Sequence, residues 1–270
     1  MDILHLIRTQ IHAGLAAPVR ILHVTDVHVT RATTEDSEEH RALMREREGV
    51  FFREGKEPPH TPEEYMQAAI DLAKREGALL VCTGDAIDIH TKGNVAYLQA
   101  LLRENDMMFS PGGHEHQRQC LRTLEEPYPY AEKIRPLLDS ELATHDLYLS
   151  SRVVGGLNII TADNSLDYFP ARTVEAFRRE LSRGLPTVVF FHDPIWDARL
   201  NANTPLKNTR LTQADVDTSR EMLSLCLTHP AVVATVGGHG HHAEERQIEG
   251  KTHYMTDGLF KGIARLITVM

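Results

Sequence analysis

Cysteine and long apolar runs are scarce in this sequence, and positively charged residues are outnumbered by negatively charged ones. The 3 cysteines are unclustered, and Cys82 and Cys226 lie in apolar segments, so we interpret them as buried thiols of a protein in the reducing cytoplasm. A net charge of −9 makes extended binding to nucleic acid unfavourable. No stretch is long and apolar enough to cross a bilayer, and the residues up to Ala17 lack the apolar run of a signal peptide. We therefore expect a cytoplasmic protein without a membrane or nucleic-acid partner.

The rest of the composition is that of an ordinary globular protein. The chain has 270 residues, enough to bury a sizeable core, and it contains no internal repeat or flexible linker. We therefore expect a single domain over residues 1–270, with an insertion at about 30–61, where a charged tract is followed by Gly55, Pro58 and Pro59. We expect this insertion to be partly helical, and either a lid or specificity element or a solvated excursion, which is the more ordinary case.

Periodicity predicts strands and helices that are mixed along the chain, which indicates an α/β fold. Apolar residues at helical spacing predict a helix from Asp2 to Leu15, and Thr61 before Pro62 predicts the start of another that ends at Glu76. The pair Gly155-Gly156 between two apolar runs predicts a hairpin. The other predicted helices are 94–104, about 125–139, 171–183 and 212–228, and the predicted strands are 19–29, 78–85, 107–110, 147–154, 157–162, 187–191, 231–236, about 244–255 and 263–269.

Five of the predicted strands end in aspartate or histidine. In chain order these residues are Asp26 and His28, Asp85 and Asp88, His114, His192, and His239 and His241. In open α/β sheets, ligands bind at the carboxyl ends of the strands. Side chains two residues apart in an extended segment point the same way, and Gly240 lets the backbone fold tightly between its two histidines. We therefore expect these side chains to converge.

Carboxylate and imidazole donors without thiolates suit Mn, Fe, Zn or Ni rather than a structural zinc. The pairs Asp26/His28 and His239/His241, together with Asp85, offer more ligands than one ion requires. A carboxylate that bridges two cations would hold them about 3.5–4 Å apart. Each motif alone is ordinary, since a Gly-Asp turn or a single histidine after a strand is common. Five in succession favour two divalent transition metal ions.

The motifs, taken together and in order, resemble the calcineurin-like metallophosphoesterase superfamily. The matching blocks are Asp26-Val-His28, Gly84-Asp85-Ala-Ile-Asp88, Gly112-Gly113-His114-Glu115, His192 and Gly238-His239-Gly-His241. The resemblance extends from about residue 20 to 245. It implies an α/β fold with a four-layer α/β/β/α sandwich of mixed sheets, and a dinuclear site that hydrolyses phosphomonoesters or phosphodiesters by a metal-activated hydroxide.

The resemblance also implies a role for each site residue. The implied metal ligands are Asp26, His28 and His241 for one ion, Asp85 as the bridge, and His192 and His239 for the second ion. His114 would stand beside the leaving group, as a hydrogen-bond donor to the phosphate or a proton donor to the departing oxygen. Glu115 would orient His114 through its other ring nitrogen, and Asp88 would support the loop.

The sequence departs from the family pattern at Gly113. The third block of the family is normally Gly-Asn-His, and the asparagine oxygen is a ligand of the second metal. Glycine offers no such ligand, so water, His116 or Asn94 could fill the place, or the second site is weakened. An alternative function is therefore a non-catalytic binding or scaffold module with an impaired second metal site.

The sequence favours a phosphodiesterase or phosphatase that acts on a small or nucleotide-like phosphoester. The acidic net charge disfavours the exonuclease branch of the family. Two regions are candidates for substrate contacts, the insertion at about 30–61 and the loop Trp196–Asn208, where Arg199 or Lys207 could meet a phosphate. A solvated surface position is the ordinary alternative for such a side chain.

Overall fold

A five-stranded mixed sheet forms one half of the fold. The computed structural model describes residues 3–118, 127–142, 145–195 and 211–270. The strands of this first sheet, in spatial order, are β1 (His5–Ile11), β11 (Ile263–Val269), β2 (Val19–Val24), β3 (Leu79–Thr83) and β4 (Met107–Ser110). Strands β2, β3 and β4 are parallel, and β11 is antiparallel to β2 and parallel to β1.

A six-stranded mixed sheet forms the other half. Its spatial order is β5 (Leu149–Val154), β6 (Leu157–Ala162), β7 (Thr187–Phe190), β8 (Val232–Gly237), β10 (Lys251–Met255) and β9 (Glu244–Ile248). Strands β6, β7, β8 and β10 are parallel, and β5 and β9 are antiparallel edge strands. Parallel strands place their carboxyl ends at one edge of each sheet.

Six α-helices accompany the sheets in the described part of the chain. They are α1 (Glu38–Glu54), α2 (Pro62–Glu76), α3 (Lys92–Glu104), α4 (Pro127–Glu141), α5 (Ala171–Leu181) and α6 (Gln213–Thr228). Helix α2 begins as its sequence predicts, because Thr61 and Glu64 form a capping box around Pro62. It ends at Gly77, which has the left-handed conformation that glycine adopts without strain.

In the described part of the chain, three apolar clusters separate four layers. Leu22 and Leu80 of the first sheet pack against Met66 of α2 and Leu98 of α3 in the first cluster. The second cluster lies between the sheets, where Ile21 and Val81 meet Val188 and Val236. The third joins the second sheet to α5 and α6 through residues that include Ile160, Val189, Phe177 and Met222. The expected α/β/β/α sandwich of mixed sheets is confirmed.

The predicted N-terminal helix is wrong. Residues His5–Ile11 form β1, which pairs in parallel with β11 at the other end of the chain. Thr9 and Ile11 are buried while Arg8 and Gln10 are exposed, so the true period is two. The isoleucines and leucines of this segment have helical spacing, which led to the prediction of a helix. The alternation of the strand was missed because Thr9, which is buried, was counted as a polar position.

The strand predicted at about 244–255 is a hairpin of two strands, β9 and β10. Its turn is Glu249-Gly250, and both residues have positive φ angles, 51° and 77°. A two-residue turn of this kind reverses the chain with the twist that adjacent strands require. The hairpin predicted at Gly155-Gly156 is confirmed, with φ angles of 56° and 85°. The loop Trp196–Asn208, with Arg199 and Lys207, lies outside the described residues.

Substitution of Gly84 and Gly156 tests how closely the loop after β3 approaches the loop after β4. Both have positive φ, but a Cβ at Gly84 would lie 2.3 Å from the backbone nitrogen of Gly112, whereas one at Gly156 would meet nothing within 4 Å. We expect Gly156→Ala to cost about 1–2 kcal/mol from backbone strain alone. Gly84→Ala should cost about 1–3 kcal/mol more, because the loop after β4 must move. Urea unfolding measures both, and equal losses would contradict the close approach.

Candidate metal centre

The loops that follow β2, β3, β7 and β8 are tied together by backbone hydrogen bonds. The N–H of Asp26 donates to the carbonyl of Gly84 at 3.1 Å, and the N–H of Gly238 donates to the carbonyl of His192 at 2.8 Å. His192 joins the two sheets, since its Nδ1 donates to the carbonyl oxygen of Thr83 at 2.7 Å. The carboxyl ends of both sheets therefore meet at one place, as the sequence predicts.

Backbone strain is concentrated in these loops. Nine non-glycine residues of the described chain have positive φ, and five of them are candidate metal ligands, namely Asp26 (52°), His28 (54°), Asp85 (50°), His239 (65°) and His241 (49°). Each such residue costs about 1–2 kcal/mol, and such strain persists where the surrounding structure imposes it, often at functional sites. The left-handed turns direct these side chains toward a common space.

A first donor group consists of Asp26, His28 and His241. His241 Nε2 lies 3.1 Å from Asp26 Oδ1 and 3.2 Å from His28 Nε2, and His28 Nε2 lies 3.7 Å from Asp26 Oδ1. Ligands bound at about 2.0–2.2 Å to one cation stand roughly 3–4 Å apart, so these atoms fit a single ion. Thr25 Oγ1 and the N–H of His239 both donate to Asp26 Oδ2, which leaves Oδ1 directed at the histidines.

A second donor group consists of Asp85, His192 and His239. His192 Nε2 lies 3.2 Å from Asp85 Oδ2 and 3.2 Å from His239 Nδ1. Asp85 Oδ2 also lies 3.9 Å from His28 Nε2, so its carboxylate borders both donor groups. The structure thus brings together all six predicted ligands, in two groups that adjoin at Asp85.

Charge complementarity holds the donor groups together. Burial opposes ionisation of Asp26, but hydrogen bonds from His241 and His28 outweigh it and hold the pKa of Asp26 well below its usual value. Burial likewise opposes ionisation of Asp85, and the charges of His192 and His114 lower its pKa. Without a bound cation, protonated histidines therefore balance the negative charges of Asp26 and Asp85.

His114 lies next to Asp85. Its Nε2 lies 3.9 Å from Asp85 Oδ2, and its Nδ1 lies 2.7 Å from Asp88 Oδ1 and 2.8 Å from the Asp88 carbonyl. Burial by itself would lower the pKa of His114, but the carboxylates of Asp85 and Asp88 raise it to about 9. Asp88 therefore orients His114, a contact that the sequence reasoning assigned to another residue.

The role predicted for Glu115 is corrected by its contacts. Its buried carboxylate accepts the N–H groups of Asp85 (2.9 Å), Ala86 (2.7 Å), Ile87 (3.2 Å) and Gly112 (2.7 Å). Its oxygens are thus engaged by the backbone on either side of the site, and Glu115 does not contact the ring of His114. A carboxylate with four N–H partners fixes the loop that carries Asp85.

The space beside Gly113 is open, and the predicted substitutes for the missing asparagine lie elsewhere. A Cβ at Gly113 would meet nothing within 4 Å. His116 Nδ1 donates to the Gly112 carbonyl at 3.0 Å, and the Asn94 amide donates to the Ile89 carbonyl at 2.7 Å. His116 belongs to no donor group among the described residues, and the side-chain oxygen of Asn94 accepts the N–H of Arg31.

Several further residues of the described chain reach the site without having been predicted to do so. Asp193 Oδ1 lies 3.4 Å from His239 Nδ1, and it adjoins the predicted ligand His192 in sequence. Arg47, Phe51 and Glu54 come from α1 and contact Asp88, His28 and His241, respectively. Adjacency to a ligand could have indicated Asp193, but nothing in the sequence indicates what α1 docks against.

The fold and its donor atoms define an α/β protein with a candidate metal centre of oxygen and nitrogen ligands. The sequence profile of the calcineurin-like phosphoesterases matches residues 19–243. The chain therefore belongs to the calcineurin-like phosphoesterase family, and it is a metal-dependent phosphoric ester hydrolase. No curated protein sequence matches it at a significant level. Among the described residues, no helix combines the length and apolar character that a membrane span needs.

Three solved structures are distantly similar to this chain. A dimetal phosphatase from Danio rerio is 14% identical, with 90% of this chain and 88% of that chain covered and a TM-score of 0.49. A candidate 5′-nucleotidase from Staphylococcus aureus, solved with alpha-ketoglutarate, is 13% identical, with 90% and 49% covered and a TM-score of 0.46. The phosphopantetheinyl hydrolase of Mycobacterium tuberculosis is 12% identical, with 97% and 92% covered and a TM-score of 0.40. Such distant similarity says nothing about the substrate.

Proton release on metal binding is a test of the first donor group. Burial by itself would lower the pKa of His241, but its hydrogen bond to Asp26 raises it to about 9. Because His241 Nε2 must lose its proton before it can bind a cation, metal affinity should increase with pH up to about 9, by about tenfold per unit for each proton released. Calorimetric titration with Mn²⁺ in buffers of different ionisation enthalpy measures the protons. Equal affinity at about pH 6 and pH 8 would contradict this assignment.

Proposed function

We propose that this protein hydrolyses a small or nucleotide-like phosphoester at a centre where two divalent cations share Asp85. The observation that supports the proposal is the position of this carboxylate. Asp85 Oδ2 lies 3.2 Å from His192 Nε2 in one donor group and 3.9 Å from His28 Nε2 in the other. A carboxylate in this position suits a bridge between two ions.

The donor set fits divalent transition metals. It contains carboxylates and imidazoles without thiolates, which suits Mn, Fe, Zn or Ni. The proposed ligands are Asp26, His28 and His241 for the first cation, Asp85 for both, and His192 and His239 for the second. When bound, two such cations lower the pKa of a water molecule and neutralise the negative charge that develops on the phosphoryl oxygens.

His114 is proposed to act on the phosphate or on the leaving group. Its side chain is 22% exposed, whereas that of Asp85 beside it is 3% exposed, so substrate can reach the imidazole. In the protein without cations, Asp85 and Asp88 outweigh burial and raise the pKa of His114 to about 9. With cations on Asp85, the adjacent carboxylate of Asp88 still favours the protonated form of His114. His114 can therefore donate a hydrogen bond to a phosphoryl oxygen or protonate the departing oxygen. Asp88 keeps its Nδ1 occupied, so the proton to be donated is on Nε2.

The proposed substrate is a small molecule rather than a nucleic acid. The net charge of −9 lacks the attraction that an extended phosphate backbone requires. We propose that one domain over residues 1–270 carries the activity in the cytoplasm, with the segment at about 30–61 as an insertion. Both monoesters and diesters remain within this proposal, as either a phosphatase or a phosphodiesterase.

Metal content and model substrates test the proposed function together. After repletion with Mn²⁺, the protein should bind two cations per chain and hydrolyse bis-p-nitrophenyl phosphate or p-nitrophenyl phosphate. Asp85→Asn should lose affinity for both cations and lower turnover by at least about a hundredfold, because the shared charge is removed. Asp71→Asn, at an exposed position of α2, is the matched control and should leave both properties unchanged.

Absence of metal and of turnover in the repleted wild-type protein would overturn this proposal and favour the binding or scaffold module. A single bound cation with full activity would refute the shared role of Asp85. Mass spectrometry measures the number of cations bound per chain. Two bound cations without turnover of these esters would indicate a different ester substrate, whereas none or one would give the outcomes above.

Gly113 offers a separate test of the second cation. The backbone there is ordinary, with φ −65° and ψ −32°, and a new side chain would find open space. We expect Gly113→Asn to tighten binding of the second cation by about tenfold or more, because it supplies an amide oxygen ligand. Calorimetric titration measures this affinity.

Gly113→Ala is the matched control for this experiment. It adds a Cβ without a donor atom, so it should leave the affinity for the second cation unchanged. If both variants bind like the wild type, another group already occupies the place of the asparagine, and the carboxylate of Asp193 is the first residue to test.

A further inference from the structure

Helix α1 presents three side chains to the metal centre. Arg47, Phe51 and Glu54 are four and three residues apart, so they lie on one face of the helix. Arg45 and Glu46, elsewhere on the helix, are exposed. The helix belongs to the segment predicted as an insertion, for which a solvated excursion was the ordinary interpretation. Its contacts show that one face meets the candidate site instead.

Arg47 pairs with the buried carboxylate of Asp88. Its Nε lies 2.7 Å from Asp88 Oδ2, and its second terminal nitrogen lies 3.0 Å from Oδ1. Asp88 is fully buried, and its Oδ1 lies 2.7 Å from His114 Nδ1 and 3.5 Å from His28 Nδ1. Because a buried carboxylate needs a charged partner, Arg47 fixes the residue that orients His114 and lies beside His28.

Phe51 covers the imidazole of His28. The two rings are stacked, with centroids 3.9 Å apart and an angle of 15° between their planes. Phe51 is only 5% exposed, so its position is set by packing. The stack restricts rotation of the His28 ring while its Nε2 remains directed at the first donor group.

Glu54 contacts His241 at Nδ1, the ring nitrogen that faces away from the first donor group. Its Oε1 accepts a hydrogen bond from His241 Nδ1. His241 Nε2 then lies 3.1 Å from Asp26 Oδ1, inside the donor group. A carboxylate on the far nitrogen of a ligand histidine fixes its tautomer and increases its basicity toward a metal.

From these contacts we infer that α1 is a clamp on the first cation site, with Arg47, Phe51 and Glu54 as positioning residues for His28, His114 and His241. The inference rests on the proposed function, because it assigns the first donor group to a cation. Docking of α1 and binding of the first cation are therefore linked equilibria. Each must strengthen the other by the same factor.

The linkage is tested by alanine substitution on the two sides of α1. Glu54→Ala and Arg47→Ala should each weaken binding of the first Mn²⁺ by about 10–100-fold, measured by calorimetric titration. Glu46→Ala and Arg45→Ala, at exposed positions of the same helix, are the matched controls and should bind like the wild type. In the wild type, Mn²⁺ should slow hydrogen exchange of the α1 amides, and Glu54→Ala should reduce this protection.

Wild-type affinity in Glu54→Ala, or exchange in α1 that does not respond to Mn²⁺, would overturn the clamp. Arg47→Ala leaves Asp88 without its cation and can unfold the loop, so Glu54→Ala decides the question. The Glu54 side chain is 41% exposed, and its loss does not threaten the core. If the wild type hydrolyses phosphoesters with two bound cations and these variants do not differ from it, only the clamp fails, not the proposed function.

Discussion

The structure depends on three aspartates that are buried with their charges. Asp26, Asp85 and Asp88 are at most 2% exposed. An isolated carboxylate in such a place would cost several kcal/mol, so each must have cationic or hydrogen-bonding partners. The partners are the surrounding histidines and Arg47, and in the proposed function two cations as well. Five residues at the strand ends adopt the left-handed conformation, at a cost of about 1–2 kcal/mol each, and the surrounding interactions of the site must offset this strain.

The second requirement is that two separate sheets end at the same place. The core between them, with Ile21 and Val81 against Val188 and Val236, fixes the distance between their carboxyl edges. Close packing makes this distance hard to change, since an interior at crystal-like density accommodates little displacement. The sandwich therefore fixes where the two sets of strand ends meet. The loops after the strands and helix α1 then orient the donor side chains.

The sequence predicted what is local, and it missed what depends on distant parts of the chain. The strand-end aspartates and histidines were predicted because an apolar strand that stops at a polar residue is a local pattern. The strand β1 was missed because its partner β11 lies at the opposite end of the chain. Glu115 was assigned to His114 because sequence cannot show that four backbone N–H groups surround its carboxylate. The contacts of α1 were missed because helical spacing reveals a face but not the surface that it meets.

The two proposed cation sites are supported unequally by this chain. In the first donor group, Glu54 accepts a hydrogen bond from the outer nitrogen of His241, Asp88 Oδ1 lies 3.5 Å from the outer nitrogen of His28, and Phe51 covers the His28 ring. The second donor group lacks the family's amide ligand at Gly113. Extra orientation around ligands raises metal affinity, and loss of a ligand lowers it. In the proposed function, these residues would therefore hold the first cation firmly and exchange the second, so that only the second would respond to metal supply.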